Sequence, residues 1–318
     1  MAPRPAERDV TPGHDHRGRV LRVHGGVYEV ATEEGAVLEA ALRGRLKQQR
    51  RTGDRVVAGD EVVVREHDDG SVTIEVVEPR RTELARRAPG RGRRGQRQDA
   101  RIIVANVDRM VVVFAAARPE PHLRMLDRFL VLAEANALEA VVVVNKLDLA
   151  DEAEVRARFR RYEDAGYALV LASAESGRGL AEFGRLLRGA ISVLAGPSGV
   201  GKSSLLNALE PGLDLRTGDI SGAVGKGRHT TVTARLIRLP HGGYVADTPG
   251  LRELGLWGVT NDDLRCCFPE FREHAGGCRF GNACTHSHEP DCAVRRAAEA
   301  GAFEHERYLS YLHMLEDG

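Results

Sequence analysis

An apolar run followed by a glycine-rich turn and a helix start constrains the fold more than any other feature. Residues 191–195 read as a buried strand, GPSGVGKSS follows, and SLLNAL is a good helix start. Glycines let backbone N–H groups close on phosphates, and a helix N-terminus adds partial positive charge. The pattern G-x-x-x-x-G-K-[ST] in this context predicts a phosphate-binding loop. Its residues are Gly196, Pro197, Ser198, Gly199, Val200, Gly201, Lys202, Ser203 and Ser204.

Two residues of this loop have specific predicted roles. Lys202 would reach the β- and γ-phosphates, and the Ser203 hydroxyl would take a Mg²⁺ position. The alternative is a glycine- and serine-rich turn with a chance lysine. A strand before the turn and a helix after it favour the phosphate-binding interpretation.

A second stretch indicates which base is bound. The apolar residues 140–144 end in Asn145, Lys146, Leu147 and Asp148, an N-K-x-D pattern. A carboxylate at Asp148 can accept from two donors on one edge of guanine, a pair that adenine lacks. Alone the pattern is a weak match, and its alternative is a strand-to-helix turn capped by Asp148. Beside a phosphate loop it predicts binding of a guanine nucleotide.

Length and charge set wider bounds. The 318 residues allow two or three domains with real cores, and 46 Lys and Arg balance 46 Asp and Glu, so net charge predicts no partner. We find no secretory signal and no apolar run of membrane-spanning length. We therefore expect a cytoplasmic monomer that does not bind membranes.

The N-terminal third divides into three predicted segments. Residues 1–15 are rich in Pro, Arg, Asp and His and predict a disordered tail. Residues 16–80 contain about five short strands separated by turn signals, which predicts an RNA-binding OB-fold barrel, or else a barrel that serves only as a spacer. Residues 81–101 form an arginine-rich connector, either a solvated linker or a loop that contacts RNA. Dense like charge favours a polyanionic partner.

Residues 102–257 alternate between strand and helix patterns. This alternation predicts a parallel sheet that binds its ligand at the strand C-termini. One of those strands ends at Ser173 and Ala174, which we assign to the nucleotide site with N-K-x-D.

Residues after the phosphate loop supply candidates for the metal shell. Asp247 opens a D-x-x-G pattern and would hold Mg²⁺ through water, and the Gly250 amide would meet the γ-phosphate. Thr230 or Thr231 would complete the metal shell, and either loop would relax once the γ-phosphate leaves.

The last segment, residues 258–318, contains a compact set of soft ligands. The pattern C-x₅-C-x-H-x₅-C predicts a closed tetrahedral zinc site, which leaves no position for substrate and is therefore structural. His288 is a competing ligand, and Cys266 and Cys267 are predicted to be buried or free thiols. The four predicted zinc ligands are Cys278, Cys284, His286 and Cys292.

The order of these motifs is permuted, because N-K-x-D precedes the phosphate loop. The permuted order, the N-terminal barrel and the cysteine–histidine module together resemble the bacterial ribosome small-subunit-dependent GTPase A family, RsgA, also called YjeQ or YloQ. The resemblance extends from about Arg17 to Met314. It implies an OB-fold barrel, a circularly permuted α/β P-loop GTPase domain and a C-terminal zinc-binding module with helices.

The same resemblance implies a function. A member of this family would hydrolyse GTP to GDP, with Mg²⁺, in late maturation of the small (30S) ribosomal subunit. It would bind 16S rRNA, and the subunit would stimulate its slow hydrolysis. The alternatives are a nucleotide-gated RNA-binding or metal-handling protein with incidental hydrolysis, and a GTPase that acts on another RNA.

The residues that would position the attacking water are unusual. Leu251 follows D-x-x-G, where many GTPases place a glutamine, and an apolar side chain cannot orient water. His229, beside Thr230, is the candidate for this catalytic role, together with Lys202 and the loop groups named above. Its alternative is a solvated loop histidine without a role.

Overall fold

The computed structural model describes residues 14–44, 46, 55–87, 100–213, 215, 234–248 and 259–317. These residues form a barrel, a central α/β domain and a helical C-terminal module. None of the helices within these ranges is long and apolar enough to cross a membrane.

The first five strands form the barrel. Their order is β1-β2-β3-β5-β4, and β4 pairs back with β1, so that the sheet closes. Alternate side chains point inward, and Val20, Val30, Val64 and Ile74 are fully buried. The predicted OB-type barrel is therefore confirmed. The strands are β1 (His14–His24), β2 (Val27–Thr32), β3 (Val37–Leu42), β4 (Glu61–Glu66) and β5 (Val72–Val77).

The predicted tail is too long by two residues. His14 pairs with Glu66 in the barrel, and Asp15 accepts hydrogen bonds from the Nε and Nη2 atoms of Arg65 at 2.6 and 2.8 Å. The ion pair holds the pKa of Asp15 below its usual value. The remaining tail, 1–13, lies outside the described residues.

The predicted connector is also wrong at both ends. Strands β6 (Glu83–Arg87) and β7 (Ala100–Ala105) form an antiparallel ladder in which Leu84 lies opposite Val104. Both side chains are fully buried in the core of the α/β domain. The arginines around Leu84 hid this strand from the sequence pattern. Residues 88–99 lie outside the described part of the chain.

A parallel sheet forms the centre of the α/β domain, as predicted. Its order is β10-β9-β8-β11-β13-β12, and β12 is antiparallel to β13 while the other neighbours are parallel. Apolar clusters cover both faces of the sheet. Its strands are β8 (Arg109–Ala115), β9 (Glu139–Asn145), β10 (Ala168–Leu171), β11 (Ile191–Ala195), β12 (Arg235–Arg238) and β13 (Tyr244–Asp247). Its helices are α1 (Leu123–Ala135), α2 (Glu152–Asp164), α3 (Leu180–Leu187) and α4 (Lys202–Leu209).

The barrel joins the α/β domain through close backbone contacts. Asn106 donates from Nδ2 to the Gly59 carbonyl at 3.0 Å and accepts from the Arg81 amide at 2.8 Å. Gly59 has a φ of +94°, and a Cβ there would lie 2.0 Å from the Ala105 carbonyl oxygen. Only glycine permits this approach, so the two domains meet at a fixed place.

The C-terminal module packs on α1. Its helices are α5 (Asn261–Leu264), α6 (Arg272–Ala275), α7 (Ala293–Glu299) and α8 (His305–Asp317). Phe268, Phe271 and Tyr311 fill its core, and Val131 of α1 packs into the same cluster. Arg307 of α8 is 1 % exposed and donates to Asp127 of α1 at 2.7 Å. A buried ion pair therefore joins this module to the α/β domain.

Candidate functional site

Asn145 joins three segments that are far apart in the sequence. Its Nδ2 donates to the Val200 carbonyl of the phosphate loop at 2.9 Å. Its Oδ1 accepts from the Ala174 amide at 3.1 Å. The side chain is 1 % exposed, so these bonds form out of water. The structure thus brings the N-K-x-D motif, the phosphate loop and the Ser173–Ala174 turn to one edge of the sheet.

Glycines set the path of the phosphate loop. Gly196 has a φ of +126°, and a Cβ there would lie 2.1 Å from the Val113 carbonyl oxygen. Gly201 has a φ of +91°, and its Cβ would lie 2.3 Å from Asn145 Nδ2. Any larger residue would push the loop off strand β8 or off Asn145. The loop then leads into α4 at Lys202, so the helix N-terminus faces the loop, as phosphate binding requires.

The Lys202 side chain lies inside the phosphate loop and hydrogen-bonds to the first residues of that loop. The side chain is 4 % exposed, and its Nζ donates to the carbonyls of Gly196 at 2.7 Å and Pro197 at 2.8 Å. Ser203, the next residue, is 5 % exposed. A buried ammonium and a hydroxyl at a helix N-terminus are suited to a phosphate and its metal ion.

Residues 145–148, which carry the N-K-x-D motif, form the predicted base-recognition loop. Hydrogen bonds hold this loop at each residue. Lys146 has a φ of +61°, and its Nζ donates to the Gly199 carbonyl at 2.6 Å and to the Arg118 carbonyl. The Leu147 amide donates to the Ala172 carbonyl at 3.1 Å. These bonds fix the loop against the phosphate loop.

Asp148 follows in the same loop and is exposed, and one of its oxygens accepts from the buried Ser173 hydroxyl. That hydroxyl also accepts from the Ser176 amide at 3.1 Å. Ser173 thereby orients the carboxylate that is predicted to read guanine. The contact brings the turn after β10 to the same edge of the sheet as the N-K-x-D motif.

The sequence patterns did not predict a role for two residues of this region. Arg118, in the turn after β8, supplies the second carbonyl that holds Lys146. Arg235 donates from Nε to Asp247 Oδ2 at 3.0 Å. The Ala117-Arg118-Pro119 turn at a strand end was the available signal for the first. For the second, only the antiparallel register, in which Arg235 lies opposite Asp247, reveals the contact.

Asp247 lies at the end of β13, beside the strand that carries the phosphate loop, and is 5 % exposed. Its position fits the predicted metal role. Ser203, also predicted to hold Mg²⁺, lies at the start of α4, whereas the predicted ligands Thr230 and Thr231 lie outside the described residues. His229 and Gly250, which are predicted for the attacking water and the γ-phosphate, also lie outside them, as does Leu251.

The predicted zinc ligands form one buried cluster, in which all four ligand atoms lie within 4.8 Å of one another. Sulfurs bound to one tetrahedral zinc lie about 3.8 Å apart, and a sulfur and a nitrogen about 3.6 Å apart. Cys278 and Cys292 have their Sγ atoms 3.9 Å apart, and each Sγ lies 3.5 Å from His286 Nδ1. These distances fit tetrahedral coordination of a single zinc ion.

Burial and hydrogen bonds shift the pKa values of the cluster in different directions. Burial disfavours a charged Cys278, but hydrogen bonds from the Val294 and Ala293 amides and from the other two thiols lower the pKa of this thiol. Burial raises the pKa of Cys284 to about 12 and also raises that of Cys292. Burial lowers the pKa of His286, which favours the neutral imidazole that metals bind. Tyr308 donates to the His286 carbonyl at 2.8 Å and holds the ligand in place.

The remaining candidates lie apart from the cluster. His288 is exposed, and its Nδ1 contacts the Ser287 hydroxyl at 2.9 Å. Cys266 is exposed, and Cys267 is buried with a pKa that burial raises to about 12. Cys267 Sγ donates to the Asp263 carbonyl at 3.2 Å, and neither thiol belongs to the group of four ligand atoms that lie within 4.8 Å of one another.

Comparison with known proteins identifies the family. The sequence model described as RsgA GTPase matches residues 77–257, more than half of the chain. The chain belongs to the RsgA GTPase family. Its members with this permuted fold are GTP hydrolases, so the chain is a GTPase.

Curated relatives of this RsgA chain match it almost end to end. The protein named small ribosomal subunit biogenesis GTPase RsgA from Gemmatimonas aurantiaca is 50 % identical over 302 residues, which cover 94 % of this chain and 96 % of the relative. The RsgA protein of Moorella thermoacetica is 43 % identical, with 94 % and 96 % coverage.

Solved structures agree with the fold described above. The crystal structure of YjeQ from Thermotoga maritima superimposes with a TM-score of 0.78 at 36 % identity and covers 96 % of this chain and 98 % of that one. YloQ, described as a circularly permuted GTPase, gives a TM-score of 0.74 at 30 % identity, with 96 % and 95 % coverage. The permuted order of the motifs within the GTPase domain is therefore confirmed.

Proposed function

We propose that this chain hydrolyses GTP to GDP and phosphate in late maturation of the small (30S) ribosomal subunit and that the subunit stimulates hydrolysis. The observation that carries the nucleotide part is the Asn145 side chain, which ties the base-recognition loop to the phosphate loop. The printed names of the relatives, small ribosomal subunit biogenesis GTPases, support the ribosomal part.

The geometry of the site supports the following roles for its residues in the proposal. Asp148, oriented by Ser173, accepts from the two donors on the guanine edge, and Lys146 and Leu147 hold the loop that presents it. The loop of residues 196–204 surrounds the phosphates with backbone N–H groups from every residue except Pro197, and Lys202 exchanges its two carbonyl contacts for β- and γ-phosphate oxygens. This exchange replaces neutral acceptors with charged ones, which form the stronger hydrogen bonds.

Residues from both sides of the site hold the magnesium ion and position the attacking water. Ser203 and Asp247 hold Mg²⁺ from the phosphate loop and from β13, and Thr230 or Thr231 completes the shell. The Gly250 amide contacts the γ-phosphate. His229 takes the water-positioning role, because Leu251 cannot orient water. Magnesium would supply charge neutralisation at the phosphates.

Zinc has a structural role in the proposal. Cys278, Cys284, His286 and Cys292 complete a tetrahedral shell and leave no position for substrate. The ion would hold the C-terminal module in the shape that packs on α1. The barrel, the arginine-rich connector (residues 81–101) and the module would then bind 16S rRNA, in a cytoplasmic protein that acts as a monomer.

The first test is GTP turnover by the chain alone and then with purified small subunits, large subunits or free ribosomal RNA. We expect strong stimulation by small subunits only. Equal, low turnover in every mixture would contradict the ribosome-activated mechanism while leaving the nucleotide site intact.

A second test concerns the attacking water. The variant His229→Ala should bind GTP with unchanged affinity and lose most of the subunit-stimulated turnover. Ser198→Ala is a matched control in the phosphate loop, because its amide remains while its hydroxyl is removed. Unchanged stimulated turnover in His229→Ala would remove this residue from the mechanism.

A further inference from the structure

An exposed aromatic side chain stands out in the C-terminal module. Phe268, Phe271 and Tyr311 of this module are at most 1 % exposed, and Tyr308 is 4 % exposed. Phe280, by contrast, is 45 % exposed, and it is the one aromatic among the large apolar side chains that the described residues expose. The module thus leaves one ring partly in water while it buries its neighbours, and a partner that covered this ring would gain the free energy of burying it.

Zinc ligands hold Phe280 from both sides. It lies in the segment between Cys278 and Cys284, two members of the buried cluster. Hydrogen bonds tighten that segment, from the Gly281 amide to the Cys278 carbonyl and from the Ala283 amide to the Phe280 carbonyl, both at 3.0 Å. The ring is therefore presented by a short, rigid turn, and little conformational entropy would be lost when a partner binds it.

The surroundings of the ring are cationic and polar. The Arg279 guanidinium lies 5.8 Å from the centroid of the Phe280 ring. Arg279 and Arg296 both lie within 4.0 Å of Asp291, so that one carboxylate is shared between two cations. Asn282 is exposed in the same turn.

This combination indicates the chemistry of the partner. A nucleobase offers an apolar face to an aromatic ring, edges to an amide and a phosphate to a guanidinium, and unpaired RNA presents all three together. An apolar pocket on another protein would cover the ring but would give no partner to the net positive charge that remains where Arg279 and Arg296 share the single Asp291 carboxylate. Charge complementarity therefore favours RNA.

We propose that Phe280 stacks on an unpaired nucleobase of RNA, with Arg279 on the adjoining phosphate and Asn282 at the base edge. The inference rests on the proposed ribosomal function for its source of RNA, and it assigns the contact to a single ring.

The test uses two substitutions in the full-length chain. Phe280→Leu keeps an apolar side chain but removes the ring, and Phe280→Trp keeps a ring and adds a fluorescent reporter. Met125→Ala, at an exposed apolar residue of α1, is the control for loss of surface area alone. Zinc content and circular dichroism that match the unsubstituted chain show that each variant is folded.

The first readout is affinity for purified small subunits. We expect Phe280→Leu to weaken binding by about 5- to 150-fold, the range of one base–aromatic stack. Phe280→Trp and Met125→Ala should bind like the unsubstituted chain. Equal affinity for all four proteins would overturn the proposal.

The second readout is tryptophan fluorescence. The Phe280→Trp signal, after subtraction of the unsubstituted chain with its single Trp257, should be quenched by single-stranded 12-nucleotide RNA and much less by an RNA duplex. Absence of quenching by any RNA, with weakened subunit binding by Phe280→Leu, would assign the ring to a protein pocket and overturn the RNA contact.

These readouts separate the inference from the proposed function. Neither requires GTP hydrolysis, so quenching by RNA would support the Phe280 contact even if small subunits failed to stimulate turnover. Stimulated turnover with unchanged affinity in Phe280→Leu would leave the proposed function in place and remove this contact.

Discussion

Arg307 offers the sharpest test of how the C-terminal module is attached. Its guanidinium donates to Asp127 Oδ1 and Glu270 Oε1, both at 2.7 Å, and lies 4.7 Å from the centre of the Phe268 ring. Burial alone would lower the pKa of this group, but Glu270 and Asp127 outweigh that effect and raise the pKa. The group is therefore charged at every pH at which the protein folds.

The substitution Arg307→Met keeps most of the apolar stem and removes the charge. Asp127 and Glu270, each with a side chain 5 % exposed, then face each other without a cation. Breaking such a buried pair from one side costs about 3–5 kcal/mol, because the remaining charge stays buried and uncompensated. The matched control is Arg128→Met, on α1 directly after Asp127, whose pair with Asp317 is about half exposed. A surface pair contributes about 0–1 kcal/mol.

Urea unfolding followed by circular dichroism measures both effects. With a denaturant slope of about 2–3 kcal/mol per molar, Arg307→Met should lower the midpoint of the transition that reports the module by about 1–2.5 M. Arg128→Met should shift it by less than about 0.5 M. The triple variant with Asp127→Asn and Glu270→Gln should recover part of the loss, because no carboxylate then remains buried alone. If Arg307→Met and Arg128→Met gave the same midpoint, the buried pair would not carry the attachment.

Three further predictions concern the two sites. Asp148→Asn should weaken GTP binding by about 100-fold or more and should favour xanthosine triphosphate. The reason is that the side-chain N–H of the introduced asparagine can donate to the oxygen that xanthine carries in place of the guanine amino group. Competition between the two nucleotides in a binding assay measures this change in preference. Gly196→Ala should abolish GTP binding in equilibrium titrations, because its Cβ would lie 2.1 Å from a carbonyl oxygen of β8, and full affinity would contradict the close approach. Cys292→Ser should lose zinc, measured by elemental analysis, whereas the exposed Cys266→Ser should keep it.

The sequence predicted the elements that local patterns specify. Strand β9 follows from the apolar run at residues 140–144, and the alternating strand and helix patterns of residues 102–257 correspond to the parallel sheet and its helices, such as α2. Asp151 accepts from the Ala153 and Glu154 amides at the start of α2, as a cap should. The four residues of the cysteine–histidine cluster were equally visible, because so many soft ligands within fifteen residues are typical of a metal site.

Contacts between distant segments were not visible in the sequence. Leu84 sits among arginines, so its strand had no local apolar pattern, and it is buried only because β7 returns beside it. From the sequence alone, Arg307 resembles any surface cation of an amphipathic helix. In the structure it is buried, because Asp127 of α1 pairs with it. The Arg118 carbonyl is a backbone group, which no side-chain pattern reports. In each case the deciding partner lies at least twenty residues away in the chain.

The permuted order gives the C-terminal module two connections to the nucleotide domain. The chain enters the module after the D-x-x-G motif that opens at Asp247, so displacement of that segment on γ-phosphate loss would pull on the module. The second connection is α1, which starts after the turn that holds Lys146 and carries Asp127 to Arg307. A pull through the first connection must therefore either rotate the module about α1 or break the Arg307 pairs. Because the pairs are buried and costly to separate, rotation with the pairs intact is the lower-energy response. Arg307→Met should then uncouple the module from the nucleotide state rather than merely loosen it.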